Sequence, residues 1–321
     1  MNNGEIKAVG IVGAGLMGHA LAQIFALKGF DVNIFDKNRA ILEKIPEKMV
    51  VNLQVFLDLD LITQADADSC LEKITLCDGI TDIYSKDCLI IEAVSENLGI
   101  KKEVFAELEK HVSPKTILCT NTSAISITSI SENLRFKERV IGTHFWNPPH
   151  IMPCVEVIKS NYTSTGVFDT VVEFMKRAGK TPVKVLKDVP GFLGNRMQHA
   201  LWREAISLVE NGIATPEDID RVVTSSFGLR LSFIGPLETA DLAGLDLSLN
   251  IQKDLFPELE SSVEPAPILV NRVNQGETGV KAGKGFYQWN EKKINRLINQ
   301  RDYTLLKILN EIPPRNENAE E

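Results

Sequence analysis

No two cysteines in the chain stand in a CxxC spacing. The five present, Cys70, Cys77, Cys88, Cys119 and Cys154, are scattered and odd in number. That argues against a disulfide scaffold and for reduced thiols packed as small hydrophobes. Histidine is scarce as well: five residues, none at metal-ligand spacing, so no metal centre is expected. No apolar run approaches the length needed to span a bilayer. The opening "MNNGEIKAVGIVGAG" runs straight into a strand pattern, without a separate basic and apolar targeting segment. Basic charge is also in deficit. Lys and Arg number 35 against 43 Asp and Glu, for a net charge of −8, which disfavours a nucleic-acid-binding surface. The remaining class is a cytoplasmic enzyme acting on a small molecule, with neither nucleic acid nor membrane as partner.

What is present is ordinary globular composition, 44% hydrophobic and 24% charged, in 321 residues, enough for two domains. "IKAVGIVG" reads as a buried strand, "GAGLMGHALAQIFALKG" as a glycine turn opening a helix, and "DVNIFD" as a second strand: one βαβ unit. Residues 38–75 have the pattern of a helical hairpin interrupted at Pro46. Strand patterns recur at "DCLIIEAV", "TILCTNT", "RVIGTHF", "CVEVIKS" and "TPVKVLKD", with helical stretches between them. This alternation predicts an α/β fold: a Rossmann-type doubly wound sheet with a helical-hairpin insertion over residues 1–188. After "DVPGF" the patterns are helical only, which predicts an all-α domain over 189–321. Thr215 is its clearest N-cap, with Pro216 at the first helical position. A final amphipathic helix carries Leu297, Ile298, Leu305, Ile308 and Leu309, and a polar tail begins at about 313.

"GAGLMG" supplies Gly13, Gly15 and Gly18 in G-x-G-x-x-G spacing. The pattern alone is weak. Here it follows a strand, opens a helix, and has Asp36 at the end of the next strand, 18 residues beyond Gly18. Gly13 permits a tight turn, Gly15 lets backbone approach a pyrophosphate, and Gly18 lets helix and strand pack closely. The helix N-terminus offers N–H groups to phosphate, and Asp36 would bind ribose hydroxyls while repelling a 2′-phosphate. The expected cofactor is NAD, lined by Gly13, Gly15, Leu16, Met17, Gly18 and Asp36.

A second stretch, "HFWNPPHIMPCVEV", places His144 before a proline-stiffened loop and Glu156 twelve residues later in an apolar run. If the two meet, they form a base with its orienting carboxylate. If not, they are a strand-end histidine and an ordinary acid. The stretch alone leaves both open.

In their order along the chain, "VGIVGAGLMG", "IIEAVSENLGIKKEVF", "TNTSAIS", "GTHFWNPP…VEV", "DVPGFLGNR", "GPLETADLAGLD" and "GVKAGKGFYQW" resemble the L-3-hydroxyacyl-CoA dehydrogenase family, from Ile6 to Trp289. The resemblance implies that His144 is the base and Glu156 its partner. It further implies that Ser123 and Asn195 reach the reacting oxygen, and that Glu96, Lys101, Ser123, Asn147 and Lys281 line the cofactor. It also implies a homodimer formed through the C-terminal domain, with the substrate cleft beside that domain. Histidine suits such work, since its unperturbed pKa of about 6.5 lies near working pH.

The hairpin departs from the family. Asn52 and Leu59 stand where a serine and a lysine meeting the nucleotide end of CoA would align, and the tip carries Asp58 and Asp60. Like charge there would repel CoA phosphates. Three readings follow. The foremost is NAD-dependent oxidation of a short-chain L-3-hydroxyacyl-CoA. The alternative is the same chemistry on a small carboxylated alcohol without CoA, such as a 3-hydroxy acid, an L-gulonate-like sugar acid or a hydroxymethyl-pyridine carboxylate. The third is a dinucleotide-binding protein without turnover.

Overall fold

The computed structural model describes residues 6–85 and 88–311; the polar tail expected from about 313 lies outside them. Eight strands form one sheet: β1 (Ala8–Val12), β2 (Asp31–Phe35), β3 (Ile74–Leu76), β4 (Cys88–Glu92), β5 (Ile117–Thr120), β6 (Val140–Phe145), β7 (Cys154–Ile158) and β8 (Thr181–Val185). Their order is β3-β2-β1-β4-β5-β6-β7-β8. Neighbours run parallel except β6 and β7, which are antiparallel. The central strands β1, β4 and β6 are buried along their whole length, as near-continuous apolar runs require when both faces are covered. The doubly wound expectation holds. β3 was not foreseen: three residues on the sheet edge give too short a pattern to read.

Each face of the sheet has its own core. On one, Phe25 of the helix Gly18–Leu27 stacks on Phe174, with ring centroids 5.6 Å apart, and meets Phe30 and Phe145 edge-on. On the other, Phe105 and Leu108 of the helix Leu98–His111 pack with Ile90, Leu118 and Ile127. The hairpin comprises the helices Arg39–Leu42, Ile45–Asp58 and Gln64–Glu72. The interruption expected at Pro46 is present: the first helix ends at Leu42 and the next starts at Ile45, with Pro46 following. Placed in the first turn, where its missing N–H costs nothing, it starts the long helix.

The chain separates into two compact units. One runs to Asn195 and takes up the chain again from Arg301; the other is Arg196–Gln300. The sequence pattern had placed everything after 188 in the second. The second unit continues the helix Gly194–Glu210 and adds Pro216–Ser225, Phe227–Arg230, Pro236–Ala243, Leu245–Leu255 and Pro267–Asn274. Thr215 does cap its helix, accepting from the Asp218 amide, with Pro216 next. Its non-helical pairing among the described residues is confined to two isolated bridges around Lys284.

Candidate active site

The carboxyl ends of the parallel strands collect the expected cofactor residues. At the end of β1 the chain turns through Gly13, whose φ is +103°; a Cβ there would lie 2.6 Å from the Ala93 carbonyl. A Cβ on Gly18 would lie 1.7 Å from the Gly13 carbonyl oxygen, so the third glycine is required by contact. Gly15 meets nothing within 4 Å, which leaves an open cradle over the turn. No side chain caps the helix Gly18–Leu27 that follows, so its first amides face that cradle unblocked. Leu16 is exposed, while Met17 packs against the core. From the end of β2, Asp36 accepts the Ala14 amide on Oδ2 and the Asn38 amide on Oδ1, both at 2.8 Å. These bonds aim the carboxylate at the rim of the turn and leave lone pairs for ribose hydroxyls. A dinucleotide with an unmodified ribose fits these residues.

His144 and Glu156 meet because β7 runs against β6. In the β6–β7 ladder they are directly opposed partners, and opposed residues put their side chains on one face. His144 Nδ1 lies 2.7 Å from Glu156 Oε2, with both residues buried. A carboxylate only accepts, so Nδ1 carries the proton and Nε2 is the ring nitrogen left for a substrate. Glu156 Oε1 accepts the Leu193 and Gly194 amides at 2.8 and 3.0 Å. Burial pushes the Glu156 carboxyl up, but the bonds from His144, Gly194 and Leu193 outweigh it and hold the group below the usual carboxylate range. Trp146 and Phe192 flank the imidazole, at ring centroid distances of 5.2 and 5.8 Å. Gly194 makes room for that tryptophan, since a Cβ would fall 2.1 Å from its ring.

Ser123 and Asn195 join the same arrangement. Asn195 Nδ2 donates to the Ser123 carbonyl at 2.9 Å, and Asn195 follows the Gly194 amide that Glu156 holds. All four residues expected at the reacting centre thus belong to one linked set. The Ser123 loop is braced by Glu96, which accepts the Thr122 hydroxyl at 2.6 Å and the Ser123 and Ala124 amides at 2.9 and 3.1 Å. Burial raises the Glu96 carboxyl, but the Thr122 hydroxyl, the Lys101 charge and the two amides bring it below its ordinary value.

The resemblance implies that Lys101 lines the cofactor. It is 1% exposed, with its ammonium 2.8 Å from Glu92 and 3.3 Å from Glu96, beneath the loop. Asn147 is exposed on the loop after β6. Lys281 lies in the second unit, exposed on the 3₁₀ turn Val280–Ala282.

Three residues escaped the sequence reading. Glu92, fully buried, accepts from Lys101, from the Val94 amide and from the Thr120 hydroxyl. An acid closing the apolar run "CLIIE" was its signal. Asn121 accepts the Phe145 amide and so fixes the end of β6 beside His144. Lys180, on the last turn before β8, donates to the Pro149 and Met152 carbonyls at 2.7 and 3.0 Å, clasping the loop between β6 and β7. Nothing local in the sequence marked it.

A cradle for a dinucleotide beside a buried histidine–carboxylate pair, at the carboxyl edge of a doubly wound sheet, defines a nicotinamide-dependent dehydrogenase of CH–OH groups. The comparisons sharpen that class. The sequence profile "3-hydroxyacyl-CoA dehydrogenase, NAD binding domain" matches residues 8–189, and "3-hydroxyacyl-CoA dehydrogenase, C-terminal domain" matches 191–289. The chain belongs to the 3-hydroxyacyl-CoA dehydrogenase family and is an NAD-binding oxidoreductase. It is 33% identical over 303 residues to a 5-formyl-3-hydroxy-2-methylpyridine 4-carboxylate 5-dehydrogenase of Mesorhizobium japonicum, covering 94% of this chain and 97% of that one. It is 36% identical over 289 residues to a probable 3-hydroxybutyryl-CoA dehydrogenase of Bacillus subtilis, covering 90% and 99%. Among solved structures, one of the pyridine carboxylate enzyme, described as an NAD+ dependent dismutase, superimposes with a TM-score of 0.89 at 32% identity, over 95% of this chain and 97% of that one. The (S)-3-hydroxybutyryl-CoA dehydrogenase of Ralstonia eutropha gives 0.75 at 34% identity, over 89% and 100%. Among the described residues, no helix is long and apolar enough to cross a membrane, and no cluster of His, Cys, Asp and Glu could hold a metal ion.

Proposed function

We propose that the chain is an NAD-dependent dehydrogenase of a small carboxylated alcohol, or hydrated aldehyde, that is not carried on CoA. The carrying observation is the TM-score of 0.89 over 95% of the chain to the pyridine carboxylate enzyme, against 0.75 over 89% for the CoA enzyme. The hairpin supports it: Asp58 and Asp60 stand at the tip, where CoA phosphates would meet like charge. A CoA ester remains the second reading, favoured by the 36% identity to the Bacillus subtilis relative.

His144 Nε2 takes the hydroxyl proton as the carbon–oxygen bond gains double-bond character. Glu156, held by two backbone amides, keeps Nδ1 protonated and stabilises the imidazolium that forms. The Ser123 hydroxyl and the Asn195 amide flank the oxygen as it becomes a carbonyl. Asp36 and the glycine turn hold the adenosine end of NAD, with Glu96 and Lys101 fixing the Ser123 loop and Asn147 beside the base. NAD held at Asp36 and the glycine turn would supply the hydride acceptor. Trp146 against His144 limits the room beside the base, which fits a small substrate.

The test follows nicotinamide absorbance with NAD and a panel: 3-hydroxybutyryl-CoA, free 3-hydroxybutyrate, L-gulonate, and hydroxymethyl- and formyl-pyridine carboxylates. NADH formation with a free acid and not with the thioester is expected. Fast turnover of the thioester alone would return the chain to the CoA reading.

A further inference from the structure

Ser123 stands on the loop between β5 and the short helix Ile127–Ser131, and the far end of that loop is held by Asp188. One carboxylate oxygen, Asp188 Oδ2, accepts the Ser126 hydroxyl at 2.6 Å and the Thr128 amide at 2.8 Å. Ser126 is the N-cap of the short helix, so Asp188 grips the point where loop becomes helix. A charged acceptor makes such bonds about twice as strong as neutral ones. At the other end of the segment Asp188–Asn195, Asn195 Nδ2 donates to the Ser123 carbonyl at 2.9 Å. The segment is therefore tied to the Ser123 loop at both of its ends.

Its middle is tied to the base. The Leu193 and Gly194 amides both donate to Glu156 Oε1, while Glu156 Oε2 meets His144 Nδ1. Between these ties the backbone is strained: Gly191 and Phe192 are both left-handed, with φ of +74° and +49°. Phenylalanine rarely adopts that conformation, which persists only where the surroundings fix it. Phe192 is fully buried in the same core as Ile127, and its ring centroid lies 5.8 Å from that of His144. Held at both ends, the strained turn presents two adjacent amides to one carboxylate oxygen.

We propose that Asp188 is a positioning residue: it closes the frame made by residues 188–195 and 123–128, and so sets the Ser123 hydroxyl at a fixed distance from His144. The proposal rests on the reading in which His144 is the base and Ser123 and Asn195 flank the substrate oxygen. With the Asp188 tie cut, Glu96 still braces Thr122, Ser123 and Ala124, so the loop keeps its shape and loses its register against the base. A displacement of about 1 Å at a reacting group can cost about 10²-fold in rate. Asp188 acts through what one oxygen accepts, not through its charge, so an amide oxygen can stand in for it.

The experiment uses the full chain with NAD. Asp188→Ala, Asp188→Asn, Ser123→Ala and the double variant Asp188→Ala/Ser123→Ala are compared by kcat, by KM for the panel alcohol that the parent oxidises, and by hydrogen exchange over residues 121–128. Asp188→Ala should lower kcat by about 10–100-fold with KM changed less than about threefold, because the lost contacts matter most in the transition state. Its exchange over 121–128 should quicken. Asp188→Asn should restore kcat and exchange to within about threefold of the parent. Adding Asp188→Ala to Ser123→Ala should cost less than about threefold more, since a positioning residue is worth little once the group it positions is gone. Fully additive losses would overturn the proposal. So would parent-like kcat and exchange in Asp188→Ala, or an Asn variant as slow as the Ala one. Should Asp188→Ala not fold, Ser126→Ala removes the shorter of the two bonds and carries the same comparison. Parent-like rates in His144→Gln and in Ser123→Ala alone would instead remove the site reading, and Asp188 is untouched in both.

Discussion

His144 shows how far a single side chain depends on what holds it. Its Nδ1 bond to Glu156 fixes the tautomer, and two backbone amides fix Glu156 in turn. His144→Gln should lower kcat/KM by about 10²–10⁴-fold, the usual worth of a general base, while NAD affinity measured by fluorescence titration stays near that of the parent. Loss of NAD binding instead would assign the residue to the fold. Glu156 carries a pH signature. Its carboxyl titrates below the ordinary value in the folded chain, so the stability it contributes is present above the unfolded value, about 4.3, and is lost as pH falls through the lower folded one. Denaturation midpoints of parent and Glu156→Gln should therefore differ most at neutral pH and converge towards pH 3. A constant gap across that range would refute the linkage. Asp36 decides between cofactors: Asp36→Ser should narrow the preference for NAD over NADP by about one to two orders of magnitude, as the repulsion of a 2′-phosphate disappears. Asp36 was legible because the glycine motif fixes its spacing, and His144 and Glu156 because the whole ordered set of motifs resembles one family. Lys180 and Glu92 were not, because their partners come from sequence-distant carbonyls and side chains that only the tertiary structure brings near.

Among the elements, the glycine turn is the most tightly specified. Gly13→Ala would add a Cβ 2.6 Å from the Ala93 carbonyl at a φ that already costs an L-residue about 1–2 kcal/mol. The variant should melt lower than the parent and lose most of its NAD affinity, and an unchanged melt with intact binding would contradict the geometry. Seven of the eight strands of this unit were readable from their sequence patterns, β3 being too short, and the α/β alternation fixed their class. The hairpin was harder. A proline in a helical pattern permits both a break and a start, and only the placement of Pro46 in the first turn separates the two. The helical patterning after "DVPGF" does not show where one helix stops and the next starts: the helices Pro236–Ala243 and Leu245–Leu255 are divided at Gly244, whose φ of +94° no helix accepts.

For the molecule as a whole, the second unit leaves much apolar surface uncovered: Leu237 is 81%, Leu242 80% and Val263 96% exposed. The homodimer implied by the family resemblance would cover exposed apolar side chains of this kind. Light scattering at micromolar concentration should give about twice the chain mass, and Leu242→Glu should shift it towards the monomer. A monomeric parent would remove the proposal. A helix face that meets a second copy carries the same apolar pattern as one that meets its own core, so periodicity alone does not separate the two.

The reversed pair β6–β7 has one more consequence, for how such an enzyme can change. His144 and Glu156 are registered by the ladder itself, through partners Gly142↔Ile158 to Phe145↔Val155, and not by the loop Trp146–Pro153 between the two strands. Chemistry and recognition are thereby uncoupled. The loop can be rewritten, lengthened or covered by a new helix without moving the proton-transfer pair, so a lineage could exchange its substrates many times while inheriting the same reaction intact.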